Sequence, residues 1–178
     1  MVNSESNYKK LKNLSKAYVG LGSNLKNKTL NLKQAIKNIE TLPGIKVIRQ
    51  SKFYRTVPEG LTAQPDFLNA VIEIKTSLSP TTLLETLLNL ETRMGRIRKK
   101  HWGPRTIDLD ILFYDHIIMN TKKLVLPHPR LTERRFVLEP LAEIAPRLKH
   151  PVKHKTITSL YQTRYDFSPP HSRVKKNN

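Results

Sequence analysis

Two carboxylates two residues apart stand out first. Asp108 and Asp110 lie in the stretch 106–113, TIDLDILF, among Ile107, Leu109, Ile111 and Phe113. That alternation reads as a strand, whose side chains two apart leave from the same face, roughly 6–7 Å apart. Two oxygen donors so placed can hold hard cations and leave positions for phosphate oxygens and water, the coordination Mg²⁺ favours. Two such ions could share the pair across an in-line displacement. Taken alone, D-x-D has a plainer reading: acids on a solvated strand face, ion-paired with nearby arginines.

The residues just before the pair carry the opposite charge. From Arg93 to Arg105 there are six Lys or Arg and no acid. Arg96, Arg98, Lys99 and Arg105 suit a triphosphate, arginine as a two-pronged donor and lysine as a point charge. Gly95 and Gly103 would let such a loop close over a ligand, and Trp102 gives it an aromatic to pack on closing. The bland alternative is an exposed charged loop.

These residues need a scaffold, and 178 residues suffice for one domain with a proper core. There is no Cys, which excludes disulfides and thiolate metal sites. No apolar run approaches a membrane span, and the polar, basic N-terminus lacks the apolar centre of a secretory signal. A cytoplasmic location fits both. The net charge of +18 invites a nucleic-acid reading, but much of it sits at the ends. Residues 1–16 carry four Lys and one acid, and residues 147–178 carry eight Lys or Arg and one acid. Both read as flexible or weakly packed extensions of a domain spanning 17–146.

Along that domain, residues 16–22 pattern as a buried strand. Its Gly20-Leu21-Gly22 lacks the third glycine of a dinucleotide fingerprint. Leu32, Ala35, Ile36 and Ile39 recur at helical spacing within 27–42, and Pro43-Gly44 ends that helix. Residues 45–57 read as extended, 58–66 as a loop, and 67–76 as an alternating strand. Ser79 and Pro80 open a helix with Leu83, Leu84, Leu87, Leu88, Leu90 and Met94 on its apolar face. After the Asp108 strand come short segments at 117–119 and 124–126. A final helix spans 134–144 with Pro140 inside it, and weak packing is expected near 157–161. The order β-α-β-β-α-β plus a further helix predicts an α+β, ferredoxin-like sandwich, with an antiparallel sheet, helices on one face and the other face free for a site.

Six strings in order add a resemblance: G-S-N at 22–24, F-Y-R-T at 53–56, Q-P-D-F-L-N-A at 64–70, G-R-I-R-K at 95–99, W-G-P-R-T-I-D-L-D-I at 102–111 and L-P-H-P at 126–129. Together they resemble the 6-hydroxymethyl-7,8-dihydropterin pyrophosphokinase family of folate biosynthesis. The resemblance implies transfer of pyrophosphate from ATP, the co-substrate, to the pterin's hydroxymethyl oxygen. It implies two Mg²⁺ ions on Asp108 and Asp110, with Arg96 and Arg105 assisting. The pterin would stack between Phe67 and Phe136, with Asn69, Thr56 and Val57 at its polar edge. Glu91, Arg98, His128 and Arg134, with the Lys99–Trp102 stretch, would serve the nucleotide. A monomer is expected, and association with a neighbouring folate-pathway enzyme stays open. This chain departs from the family pattern in a basic loop one residue short at 99–102 and in Lys123 and Val125, where Arg and Thr are expected.

Two other function classes compete. An RNA-binding module fits the sheet and the charge, but the aromatic-rich RNP1 signature is absent, and Asp108 and Asp110 would repel phosphate without metal. A pterin or nucleotide binder without activity ranks third, because every motif position of the enzyme is filled.

Overall fold

The computed structural model describes residues 14–59, 63–96 and 103–165. Strand β1 (Ser15–Ser23) is followed by helix α1 (Lys28–Glu40), β2 (Ile45–Gln50), β3 (Tyr54–Thr56) and β4 (Phe67–Thr76). Helix α2 (Pro80–Arg93), β5 (Asp108–Tyr114), the short hairpin strands β6 (Met119–Asn120) and β7 (Val125–Leu126), α3 (Arg135–Ile144) and α4 (Ile157–Tyr165) complete the order. The main sheet runs β2-β4-β1-β5, with β3 also on β4, and every pairing is antiparallel. The chain is therefore α+β.

Local chemistry sets the helix starts. The Asn27 side chain accepts from the Leu30 N–H at 3.1 Å, and the Ser79 hydroxyl accepts from the Thr82 N–H at 3.2 Å, each satisfying a donor left over in a first turn. Pro80 occupies the first helical position of α2, where its missing N–H costs nothing.

Two cores lie on opposite sides of the sheet. On one side α1 and α2 bury Leu32, Ala35, Ile36, Ile39, Leu83, Leu87 and Leu90 against Ala17, Val19, Leu21, Ala70, Ile72, Ile74, Leu109 and Ile111. Leu84 and Met94, on the same apolar face of α2, pack partly buried against this core, and Leu84 and Leu88 also line the cleft described below. On the second side α3 and α4 bury Val137, Leu138, Leu141, Ile144 and Ile157 against Tyr18, Val71, Leu112 and Phe113. That second face is thus not wholly free, as the sequence had suggested. One end is core, and only the end beyond Gly20 is open to carry a site.

Two further differences have local causes. Residues 45–57 do not form one strand, because Ser51 interrupts it: its N–H donates to the Val71 carbonyl at 2.9 Å and its Oγ accepts from the Val71 N–H at 3.0 Å. A side chain has taken over a ladder rung, and β3 starts afresh at Tyr54. Beyond Pro146 the chain was expected to pack weakly, yet Ile157 is fully buried and α4 lies on α3. Leu160, Tyr161 and Tyr165 follow Ile157 at helical spacing and supply the contact.

Candidate active site

The open end of the second face is a cleft of about 660 Å³. Its floor is three adjacent strands in register. Gly22 of β1 pairs with Asn69 of β4 on one side and with Asp108 of β5 on the other. One step along, Gly20 pairs with Val71 and with Asp110. Period-two alternation thus sends Asn69, Asp108 and Asp110 into one cleft. The central strand contributes only glycine there. A Cβ on Gly22 would fall 3.0 Å from Asn69 Oδ1, so the glycine leaves room for the amide. This is the physical role of Gly22, the second glycine of the Gly-x-Gly that resembled a dinucleotide motif.

The two aspartates have different surroundings. Asp108 is bracketed by guanidinium groups, Arg96 on Oδ1 and Arg105 on Oδ2, each at 2.5 Å. Arg96 also pairs with Glu91. Glu91 is only 2% exposed, and its Oε1 accepts from the Leu109 N–H at 2.7 Å. Glu91 is therefore not a solvated helix residue: it lines the cleft, ties α2 to β5 and orients Arg96. Asp110 has no ion pair among the described residues. Its carboxyl is pushed up to about 7 by burial and by the charge of Asp108, against weaker relief from Arg134 and Arg96.

The other predicted residues come together around this floor. Phe67 and Phe136 both line the cleft, each with a guanidinium over its ring: Arg105 at 5.5 Å from Phe67 and Arg134 at 5.4 Å from Phe136. The Asn69 amide donates to Thr56 Oγ at 2.8 Å, and Val57 stands at the rim, 75% exposed. His128 lines the cleft with its Nδ1 accepting from the Arg130 N–H at 3.2 Å, which puts the proton of the neutral ring on Nε2. Burial and the charge of Arg134 lower its pKa to about 4, so the ring is neutral at physiological pH. Arg98, Lys99 and Trp102 lie outside the described residues. Lys123 also lines the cleft, and its ammonium is 3.9 Å from Glu85.

Sequence reasoning missed Asn24. This amide is buried and fully engaged: Oδ1 accepts from the Arg105 N–H at 2.7 Å, and Nδ2 donates to Gln64 Oε1 at 3.0 Å and to the Pro65 carbonyl at 3.3 Å. Its own N–H donates to the Arg105 carbonyl at 3.1 Å. One side chain therefore holds both loops that flank the cleft. The available signal was a polar residue ending an otherwise buried strand, since a buried amide requires partners.

A divalent cation fits this donor set. Two carboxylates share a face, and one of them, Asp110, makes no ion pair among the described residues. Among the described residues no third His, Asp or Glu joins them, so a bound ion would take further oxygens from substrate and water. The Nε–H groups of Arg105 and Arg134 are buried without acceptors among the described residues, as expected where an anionic ligand would supply them.

Residues 18–146 match the family described as 7,8-dihydro-6-hydroxymethylpterin-pyrophosphokinase (HPPK). The 2-amino-4-hydroxy-6-hydroxymethyldihydropteridine pyrophosphokinase of Methylorubrum extorquens is 48% identical over 76% of this chain and 85% of its own. The protein of the same name from Bacillus subtilis is 44% identical, over 75% and 80%. The folic acid synthesis protein fol1 of Pneumocystis carinii is 42% identical over 89% of this chain and 22% of its own. In fold, the chain is similar to Plasmodium falciparum HPPK-DHPS solved with pteroate, with a TM-score of 0.70 at 18% identity. That similarity covers 86% of this chain but 43% of the other, so the present chain spans less than half of it. On the extent of the family match and the identity of its relatives, the chain belongs to the 7,8-dihydro-6-hydroxymethylpterin-pyrophosphokinase family, pyrophosphokinases of folate synthesis.

Proposed function

We propose that this cleft transfers the terminal pyrophosphoryl group of ATP to the hydroxymethyl oxygen of 6-hydroxymethyl-7,8-dihydropterin, releasing AMP. The observation that carries the reading is the row Asn69–Gly22–Asp108. It sets a ring-edge reader and an acid pair on one floor, two strand spacings or about 10 Å apart. A flat bicyclic ring with a one-carbon arm covers that distance. The scaffold we assign is a ferredoxin-like βαββαβ sandwich, supported by the β2-β4-β1-β5 order and the helices that follow β1 and β4.

In this reading Phe67 and Phe136 hold the pterin between aromatic faces, and Asn69, fixed by Thr56, reads its polar edge. Asp108 and Asp110 would hold two magnesium ions, which when bound neutralise triphosphate charge and lower the pKa of the attacking hydroxyl. The hydroxymethyl oxygen attacks the β-phosphorus. The new oxygen–phosphorus bond forms as the bond to the α-phosphoryl oxygen breaks, and AMP carries that oxygen away. Arg96 and Arg105 pair with Asp108. Released from it, they become donors to the phosphates, where the chemistry needs only positioning and charge stabilisation. His128, neutral with Nε2–H free to donate, suits a phosphate oxygen, as do Arg98, Lys99 and Arg134. Trp102 would pack as the loop closes.

No described helix is long and apolar enough to cross a membrane. The reading puts the enzyme among soluble substrates in the cytoplasm, acting as a single chain.

Purified protein mixed with ATP, Mg²⁺ and 6-hydroxymethyl-7,8-dihydropterin should release AMP in step with pterin consumption. No AMP above background from folded protein would overturn the reading.

A further inference from the structure

Helix α3 reaches the cleft with its first turn and is pinned by its last. The apolar underside, Val137, Leu138, Leu141 and Ile144, lies on Tyr18, Val71, Leu112 and Phe113. Apolar contact holds the helix down but is non-directional, so it does not set where along the sheet Phe136 stands. Near the first turn, Arg135 donates to Tyr161 and the Glu133 carbonyl accepts from Tyr165, both of α4; the directional bonds that tie α3 to the sheet gather at the other end. Glu143 Oε2 accepts from the Lys52 N–H at 2.9 Å and from the Tyr54 hydroxyl at 2.8 Å. Beside it, the Arg49 guanidinium donates to the Ile144 carbonyl at 3.1 Å and faces the buried Glu73 carboxylate at 3.9 Å.

All three donors belong to the stretch that runs from β2 into β3, and β3 also carries Thr56, the hydroxyl that accepts from Asn69. No side chain caps the N-terminus of α3, and Pro140 removes one rung between Phe136 and Glu143. The helix therefore relies on outside bonds for its placement. Burial and the Glu143 carboxylate raise the Tyr54 pKa to about 12, so its hydroxyl remains a donor throughout the physiological range.

We propose that Glu143 is a positioning residue for the pterin pocket. By accepting from Lys52 and Tyr54 it sets the spacing between β3, with Thr56, and the turn of α3 that presents Phe136. It lies seven residues from Phe136, about 10 Å along the helix, and touches no substrate. This rests on the pterin reading above. Glu143 is exposed, so replacing it leaves the core intact.

The test compares Glu143→Ala, Glu143→Gln, Tyr54→Phe and Phe136→Ala by steady-state kinetics and thermal melting. Glu143→Ala should raise the pterin KM about tenfold, the scale of two lost hydrogen bonds, with kcat and the ATP KM within about twofold. Tyr54→Phe should give a smaller rise, and Glu143→Gln, which keeps a side-chain oxygen, should recover most of the affinity. An unchanged pterin KM in Glu143→Ala, beside a large rise in Phe136→Ala, overturns the positioning role and leaves the pocket standing. Equal rises in both KM values with a lower Tm would mark a merely structural role and also overturn it. If Phe136→Ala binds pterin normally, the pocket assignment fails first and this role with it.

Discussion

Gly22 and Asn69 are register partners on neighbouring strands, and a Cβ on Gly22 would lie 3.0 Å from the Asn69 amide oxygen. At that distance the amide must give by a few tenths of an ångström. Gly22→Ala should displace Asn69 from Thr56 and raise the pterin KM by about tenfold, while the core is untouched. Gly20→Ala is the control, since the nearest atoms to its Cβ would be those of the Leu112 side chain at 3.4–3.6 Å, ordinary van der Waals contact. Steady-state kinetics on both variants decides it, and equal effects would refute the specific clash.

Asp110 and His128 pull the pH dependence of stability in opposite directions. The folded chain holds the Asp110 proton up to about 7, whereas the unfolded chain loses it near 4. Stability therefore falls as pH rises through that interval, and a cost of up to roughly 4 kcal/mol is present above pH 7. His128 behaves conversely: the unfolded chain gains a proton below about 6.5 that the folded chain refuses until about 4, so acidification destabilises. Ligand-free Asp110→Asn should be more resistant to urea than the parent at pH 8, and little different at pH 4. It should lose stability more steeply between the two on acidification. Matching midpoints at pH 8 would refute the burial argument. The same variant should lose turnover, because its amide is a poor cation ligand.

Asn24 makes four hydrogen bonds that join Arg105 to the Gln64–Pro65 turn. Asn24→Ala strands the buried partners of its side chain and should cost about 1–3 kcal/mol. Hydrogen exchange should speed up in both loops together, and acceleration in one alone would show that the amide does not couple them.

Ile157 tests where the packed unit ends. It is fully buried between α3 and the sheet, so Ile157→Ala should cost about 2–5 kcal/mol in denaturant unfolding. A loss below about 1 kcal/mol would mean that α4 contributes little, as its sequence suggested.

Much of this architecture was legible because the strong signals are local. Asn27, Ser79 and Pro80 mark helix starts through bonds made within one turn, and the alternation in 67–76 separates the Asn69 face from the Leu68 face. What escaped the sequence depends on contacts between distant segments. Ser51 breaks a β-rich run only because Val71 lies opposite it. Glu91 looks like a solvated helix acid until β5 brings the Leu109 N–H to it. After Pro146, Ile157, Leu160, Tyr161 and Tyr165 stand among polar residues, and a helix that short shows its packing face only once α3 is in place. The acid pair and the aromatic pair were visible as residue types and motif. The arginine pairs on Asp108, by contrast, needed the register of three strands.

Those pairs bear on how ATP is captured from solution. Arg96 and Arg105 are charge-compensated by Asp108 and Glu91, so the formal charge of +18 overstates the attraction felt at the cleft mouth. Added salt should slow encounter only modestly, because the screened charges are mostly elsewhere on the surface. The arginines' field is delivered after docking, inside the cleft, where counter-ions from the buffer no longer reach it.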